Sequence, residues 1–277
     1  MTETGGRAQQ RPSRSAALVA ACRMLASELP HDERLIDDPF ARLVVDEAAI
    51  AAARADEPLQ NVIRLRTRYI DDAVVAFAGS VAPARPQLLL LGAGLDARAW
   101  RMQVDADAFE VDFPATLELK AQLLAGAEPT MSRTAVPVDL VVRGFVEPLV
   151  DAGFDTVRPT IVVWEGVSMY LDPETADEVV AQIARAASPG SVLVADYAEM
   201  SWFRGSGFER ATSKIADDLS RGGEPLRAGL RDAHGTLDRY GFDVTDDEPT
   251  EELRSRYGLA PLPRHYPTRM ITAVRRD

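Results

Sequence analysis

Four consecutive leucines, Leu88 to Leu91, run straight into Gly92-Ala93-Gly94, and this junction constrains the fold more than any other stretch of the chain. An unbroken apolar run preceded by Pro83 and Pro86 reads as a short strand buried on both faces, as in a parallel sheet covered by helices. Two glycines then allow a turn closed to other residues and let a ligand approach the main chain. The segment from Asp96 to Arg101 opens a helix or helical turn, whose first N–H groups favour an anionic or oxygen-rich ligand. A second apolar stretch follows and ends in Glu110 and Asp112, where a carboxylate can bind both hydroxyls of a ribose. The two features together point to a nucleoside cofactor.

Three readings compete at this turn. The NAD fingerprint carries a third glycine for helix packing, and Ala97 occupies that place here. Gly-x-Gly followed by Leu-Asp, with an acidic strand end, suits S-adenosylmethionine better. A purely structural turn is the third.

The 277 residues exceed the usual size of one domain, yet a single α/β domain with a lid is commoner at this length than two equal ones. A net charge of −12 and a pI near 4.8 oppose contact with nucleic acid or an anionic membrane surface, both of which need a positive field. No apolar run reaches the ~20 residues of a membrane span. The single cysteine, Cys22, excludes an intramolecular disulfide and fits a reducing cytoplasm.

Residues 1–14 read as a flexible tail and 15–277 as one domain, with a helical cap over 15–82. Within the cap, helices are expected from Ser15 to Leu25, from Phe40 to Arg54 behind Asp38-Pro39, and from Asn61 to Val75. Arg64, Arg66 and Arg68 alternate on the last of these and do not share one face; solvated charge, with Arg68 pairing to Asp71 or Asp72, is the plain reading for Arg64 and Arg68. A helix from Pro114 to Leu124 and a third strand from Thr134 to Leu140 follow. Pro159 to Trp164 forms a central strand ending on Glu165-Gly166, and a carboxylate there points into the crevice beyond the strand ends. Asp172 and Pro173 start the next helix as cap and first residue. Further strands are expected at Val192 to Tyr197, Gly241 to Val244 and Arg269 to Arg275, the last antiparallel beside the sixth, with helices at Gly229 to Tyr240 and Thr250 to Tyr257. Residues 199–230 read as an inserted lid helping to form an acceptor pocket, or as a plain surface excursion. The fold class is α/β, a Rossmann-like seven-stranded sheet.

The runs LLLLGAGLDARAWRM, EVDFPATLELK, VDL at 138–140 and VVWEGVSMYLDPETADEVV, in that order, resemble the leucine carboxyl methyltransferase family, including its bacterial polyketide O-methyltransferase relatives. The resemblance covers residues 14 to 198 well and the remainder loosely. It implies S-adenosylmethionine as cofactor. It aligns Arg66 with an arginine that grips the donor's carboxylate, a task suited to a planar fork. Gly92, Gly94 and Asp112 fall in the turn and ribose positions, Asp139 and Leu140 are assigned to adenine, and Glu165 to a cofactor-contacting glutamate. Tyr170 matches a tyrosine lining the acceptor pocket. Without the resemblance, Asp139 could equally cap the next turn and Tyr170 could be a partly buried core residue.

The implied reaction is in-line displacement at a sulfonium methyl group, in which positioning supplies much of the catalysis. A carboxylate acceptor is already a nucleophile at neutral pH, whereas a phenol benefits from a base. His31, His234 and His265 all lie outside the matched motifs, and no metal-ligand spacing of His and Cys is present. The expectation is therefore carboxyl O-methylation of a small molecule or peptide C-terminus, with Arg66 and Tyr170 orienting the acceptor. Phenolic or hydroxyl O-methylation and a non-catalytic nucleoside-binding role are the alternatives.

Overall fold

Strand β1 (Gln87–Leu91) is buried along its whole length, and the sheet is built outward from it. The computed structural model describes residues 13–140, 144–199, 225–227, 229–263 and 266–277. β1 pairs in parallel with β2 (Asp107–Asp112) on one side and β4 (Thr160–Trp164) on the other. β3 (Ser132–Pro137) continues in parallel beyond β2, and β5 (Val192–Ala198) beyond β4. β7 (Thr268–Arg275) then runs antiparallel between β5 and β6 (Phe242–Pro249), giving the order β3-β2-β1-β4-β5-β7-β6. The expected seven-stranded Rossmann-like sheet is present. Strand order reverses between β1 and β4, which opens a crevice beyond their carboxyl ends.

The leucine run divides strictly by period two. Leu88 and Leu90 pack with Leu65, Tyr69, Ile70, Val74 and Phe77 of α3 (Glu57–Val81), whereas Leu89 and Leu91 share a core with Val179, Val180 and Ile183 of α7 (Pro173–Ala186). Each leucine is at most 1% exposed, so both sheet faces are dry.

Side-chain caps set several helix starts. Ser13, rather than Ser15, accepts from Ala16 N and starts α1 (Arg14–Ser27). Asp56 caps α3 through Leu59 N at 3.0 Å, and Asp172 caps α7 through Thr175 N at 2.9 Å with Pro173 at the first turn.

The helix expected over Phe40 to Arg54 is instead a 3-10 turn at Ala41–Val44 and a separate α2 (Glu47–Arg54). Asp38 accepts from Phe40 N and Ala41 N and tightens the first turn, and Asp46 restarts the chain by capping Ala49 N at 2.8 Å. The third strand ends at Pro137, so Asp139 and Leu140 stand just past it. The helix expected from Gly229 begins only at Ala233, where Asp232 caps it, and the one expected over Thr250 to Tyr257 is a single turn, Leu253–Arg256. The expected lid at 199–230 lies outside the described residues except at 199, 225–227, 229 and 230, as do residues 1–12 of the expected tail and His265. Among the described residues no helix is long and apolar enough to cross a membrane.

Candidate active site

A cavity of about 790 Å³ sits beyond the carboxyl ends of the central strands, within the range of small-molecule sites. Its wall includes every residue that the family resemblance assigns to the site: Arg66, Gly92, Gly94, Asp112, Asp139, Leu140, Glu165 and Tyr170. Helix α3 closes one side with Leu59, Val62, Ile63 and Arg66, which share a face by helical spacing. Helix α1 adds Ala16, Val19 and Arg23.

At the β1 turn Gly92 has φ +66°, and a Cβ there would lie 2.4 Å from Val167 Cγ2; the turn needs a residue without a side chain on both counts. Asp112 ends β2 facing this turn. Its Oδ2 accepts from Gly94 N at 2.7 Å and its Oδ1 from Phe113 N at 2.6 Å. Burial pushes its carboxyl above the ordinary carboxylate value, and those N–H groups offset part of the effect. The other acidic residue of β2, Glu110, is fully buried and belongs to the core: it accepts from Lys120 Nζ at 2.8 Å and pairs with Arg133.

The one-turn helix α4 (Arg98–Arg101) presents no free anion site at its start, because Arg98 N already donates to Asp96 Oδ1 at 2.9 Å. The wall there carries a carboxylate, which reverses the expected sign of the ligand group. Glu165, past the end of β4, joins it. Glu165 Oε1 accepts from Arg66 Nε at 2.9 Å and Oε2 from Arg98 Nη1 at 2.5 Å. Burial alone would raise the Glu165 carboxyl, but Arg98 and Arg66 overcome it and hold it down to about 2.

Arg66 is 5% exposed and already carries two partners, since its Nη1 donates to Asp196 Oδ2 at 2.7 Å. Only Nη2 makes no hydrogen bond among the described residues. Two of its five N–H groups are thus used, and Nη2 is left to meet a ligand carboxylate.

The model of the leucine carboxyl methyltransferase family matches residues 16–184. The chain belongs to that family. A relative from Mycobacterium ulcerans, which carries the name of an S-adenosyl-L-methionine-dependent methyltransferase, is 32% identical over 286 residues, spanning 86% of this chain and 91% of its own. Another of that name, from Mycolicibacterium vanbaalenii, is 34% identical over 275 residues, spanning 90% and 88%. The crystal structure of a protein from Thermobifida fusca YX named for a methyltransferase shares the fold, with a TM-score of 0.62 at 19% identity over 97% of each chain. Family membership decides the choice left open at the glycine turn, in favour of methyl transfer over NAD-linked chemistry.

In this methyltransferase three charged residues beside the site carry no sequence signal as such: Asp71, Arg98 and Asp196. Arg98 is 0% exposed and joins Asp71 Oδ1 through Nε at 2.9 Å. Asp71 also accepts from both terminal nitrogens of Arg101, at 2.7 and 2.8 Å. Asp196, in the carboxyl-terminal half of β5, accepts from Gly166 N at 2.6 Å through the oxygen that Arg66 leaves open. The result is a chain of ion pairs running from Arg101 through Asp71, Arg98, Glu165 and Arg66 to Asp196. The one available signal is position: Asp196 lies in the carboxyl-terminal half of a strand, level with Glu165 on its neighbour.

Proposed function

We propose that this S-adenosylmethionine-dependent methyltransferase transfers its methyl group to a carboxylate oxygen. The cavity wall fits the cofactor. Asp112, held by two backbone N–H groups, keeps outward lone pairs for the ribose hydroxyls. All four of Asp139, Leu140, Arg66 and Glu165 line the cavity; in this reading the first two take the adenine end and the last two the amino-acid end. Bound there, the cofactor supplies a methyl group activated by its sulfonium.

The observation that carries the acceptor reading is the chemistry of the remaining wall. Arg227 stands on the wall, more than half exposed, with Nη1 3.8 Å from Asp172 Oδ2. It is a cation in the same lining as Tyr170, and its backbone N–H donates to Met169 O at 2.6 Å. No histidine or lysine lines the cavity among the described residues. Tyr266 does, but burial and its hydrogen bond to Asp56 push its phenol far above neutrality, so it is no base. A carboxylate acceptor needs none. Arg227 and Tyr170 then orient it, and the near-attack geometry supplies the rate.

The test uses methyl-labelled S-adenosylmethionine, purified protein and an extract of the native host, followed by mild alkali. Volatile methanol marks a methyl ester and supports the reading. Label that survives alkali moves the acceptor to a phenol, alcohol or amine.

A further inference from the structure

We propose that Arg98 is a positioning residue: it clamps Asp96 and Glu165 side by side at the cavity wall, forming a pair of ionised carboxylates that receives the α-ammonium group of the methyl donor. The proposal rests on the cofactor reading above.

Arg98 itself lies behind the wall, whereas Asp96 and Glu165 are part of it. Its single Nη1 donates to both carboxylates, to Glu165 Oε2 at 2.5 Å and to Asp96 Oδ2. Its backbone N–H fixes the second oxygen of Asp96 at 2.9 Å. Nε anchors the guanidinium to α3 through Asp71, which Arg101 holds in turn. Two carboxylates brought this close without a shared cation would not both stay ionised; one would take a proton.

The charged groups around Arg98 indicate the ligand. Three guanidinium groups, of Arg66, Arg98 and Arg101, face four carboxylates, of Asp71, Asp96, Glu165 and Asp196. The neighbouring Arg23 and Asp38 balance each other at 3.2 Å. The carboxylates of this group that reach the cavity are Asp96 and Glu165, both held below the ordinary carboxylate range by the guanidinium of Arg98. An ammonium group matches both the charge and the acceptors, having three donors and no acceptor of its own. Arg66 Nη2 stands in the same wall for the donor's carboxylate, so an amino-acid zwitterion fits with both ends matched.

The groups facing Glu165 are Arg66 from α3, Arg98 from α4, Asp96 from the turn before it, Asp196 from β5 and Arg23 from α1. With Arg98 present, both carboxylates remain ionised throughout the physiological range. Without it they share a proton, and an ammonium site is lost as the pH falls.

The test is calorimetry with two probes, S-adenosylhomocysteine and 5′-methylthioadenosine, the second lacking the amino-acid end. Asp96→Asn, in the cavity wall, is expected to bind S-adenosylhomocysteine at least about ten-fold more weakly than the parent while binding methylthioadenosine unchanged. Arg98→Gln is expected to show the same split, with S-adenosylhomocysteine affinity falling further between about pH 8 and pH 5, a range over which the parent stays flat. If Arg98→Gln does not fold, Asp96→Asn and the parent's pH profile decide. S-adenosylhomocysteine bound by Asp96→Asn as by the parent overturns the proposal, as does equal weakening of both probes. A parent that binds neither probe removes the cofactor reading with it; a parent that binds both, paired with an indifferent Asp96→Asn, removes this inference alone.

Discussion

Asp112 receives an N–H on each oxygen, from Gly94 and Phe113, and an amide there must turn a donor towards one of them. Asp112→Asn should therefore weaken S-adenosylhomocysteine binding by ten-fold or more, in line with the ~1.5–3 kcal/mol of a hydrogen bond to a charged group, as read by calorimetry. Gly92→Ala forces a Cβ against Val167 at a backbone angle that alanine avoids. A loss of about 1–2 kcal/mol should appear in denaturant melts, together with weaker cofactor binding. Cys22 is fully buried in α1, and burial pushes its thiol up to about 12. It should resist alkylation in the native protein and react at once in denaturant; rapid labelling of folded protein would show that α1 opens. At this scale the sequence revealed those residues whose chemistry is local to a strand end, such as Asp112 and Glu165. It concealed Arg98, whose partner Glu165 is 67 positions away, and Asp196, which lies 130 positions from Arg66. A lone arginine after Asp96 looks like any helix-surface charge until the fold removes the water around it.

Strands and capped helices were largely legible because each is written in a short window: the leucine run, the β-branched run before Trp164, the Asp172-Pro173 start. The broken helix at 41–54 was hidden because apolar spacing carries across the break, whereas Asp38 and Asp46 each impose a local turn. Glu110 and Asp112 show the same limit within one strand. Both point to the same face by period two, but only Asp112 stands at the end of the strand; Glu110 lies beneath α5 (Pro114–Leu123), where Lys120 reaches it. Lys120 and Arg133 also flank the Trp100 ring at 5.4 and 4.8 Å. Removing the carboxylate strands two cations in this layer, so Glu110→Gln should cost about 3–5 kcal/mol. The measurement is a urea melt, with S-adenosylhomocysteine affinity of the folded fraction as the control expected to hold.

For the molecule as a whole, two members of the ion-pair chain, Glu165 and Asp96, predict a loss of stability in acid, opposed by Asp196, whose carboxyl burial raises. Glu165 and Asp96 have carboxyls depressed below their unfolded values. Their stabilisation is thus complete above an unfolded pKa of about 4.3 and is lost as the pH falls through the folded values, near 2 for Glu165. Arginines do not titrate in this range. The melting temperature should hold steady from about pH 8 to 5 and fall steeply below about pH 4.5, and a melt that stays flat into that acid range would mean the chain of pairs adds nothing to folding.

The position of β7 has a consequence for the order in which the protein is made. Of the seven strands, β7 is the last in sequence, yet it occupies the place between β5 and β6. While the polypeptide emerges from the ribosome, β5 and β6 are complete before the strand that lies between them, each with an open hydrogen-bonding edge. Such edges invite pairing with other nascent chains. The sheet closes only when residues 268–275 arrive, so a pause in translation just before them exposes the molecule at its most adhesive.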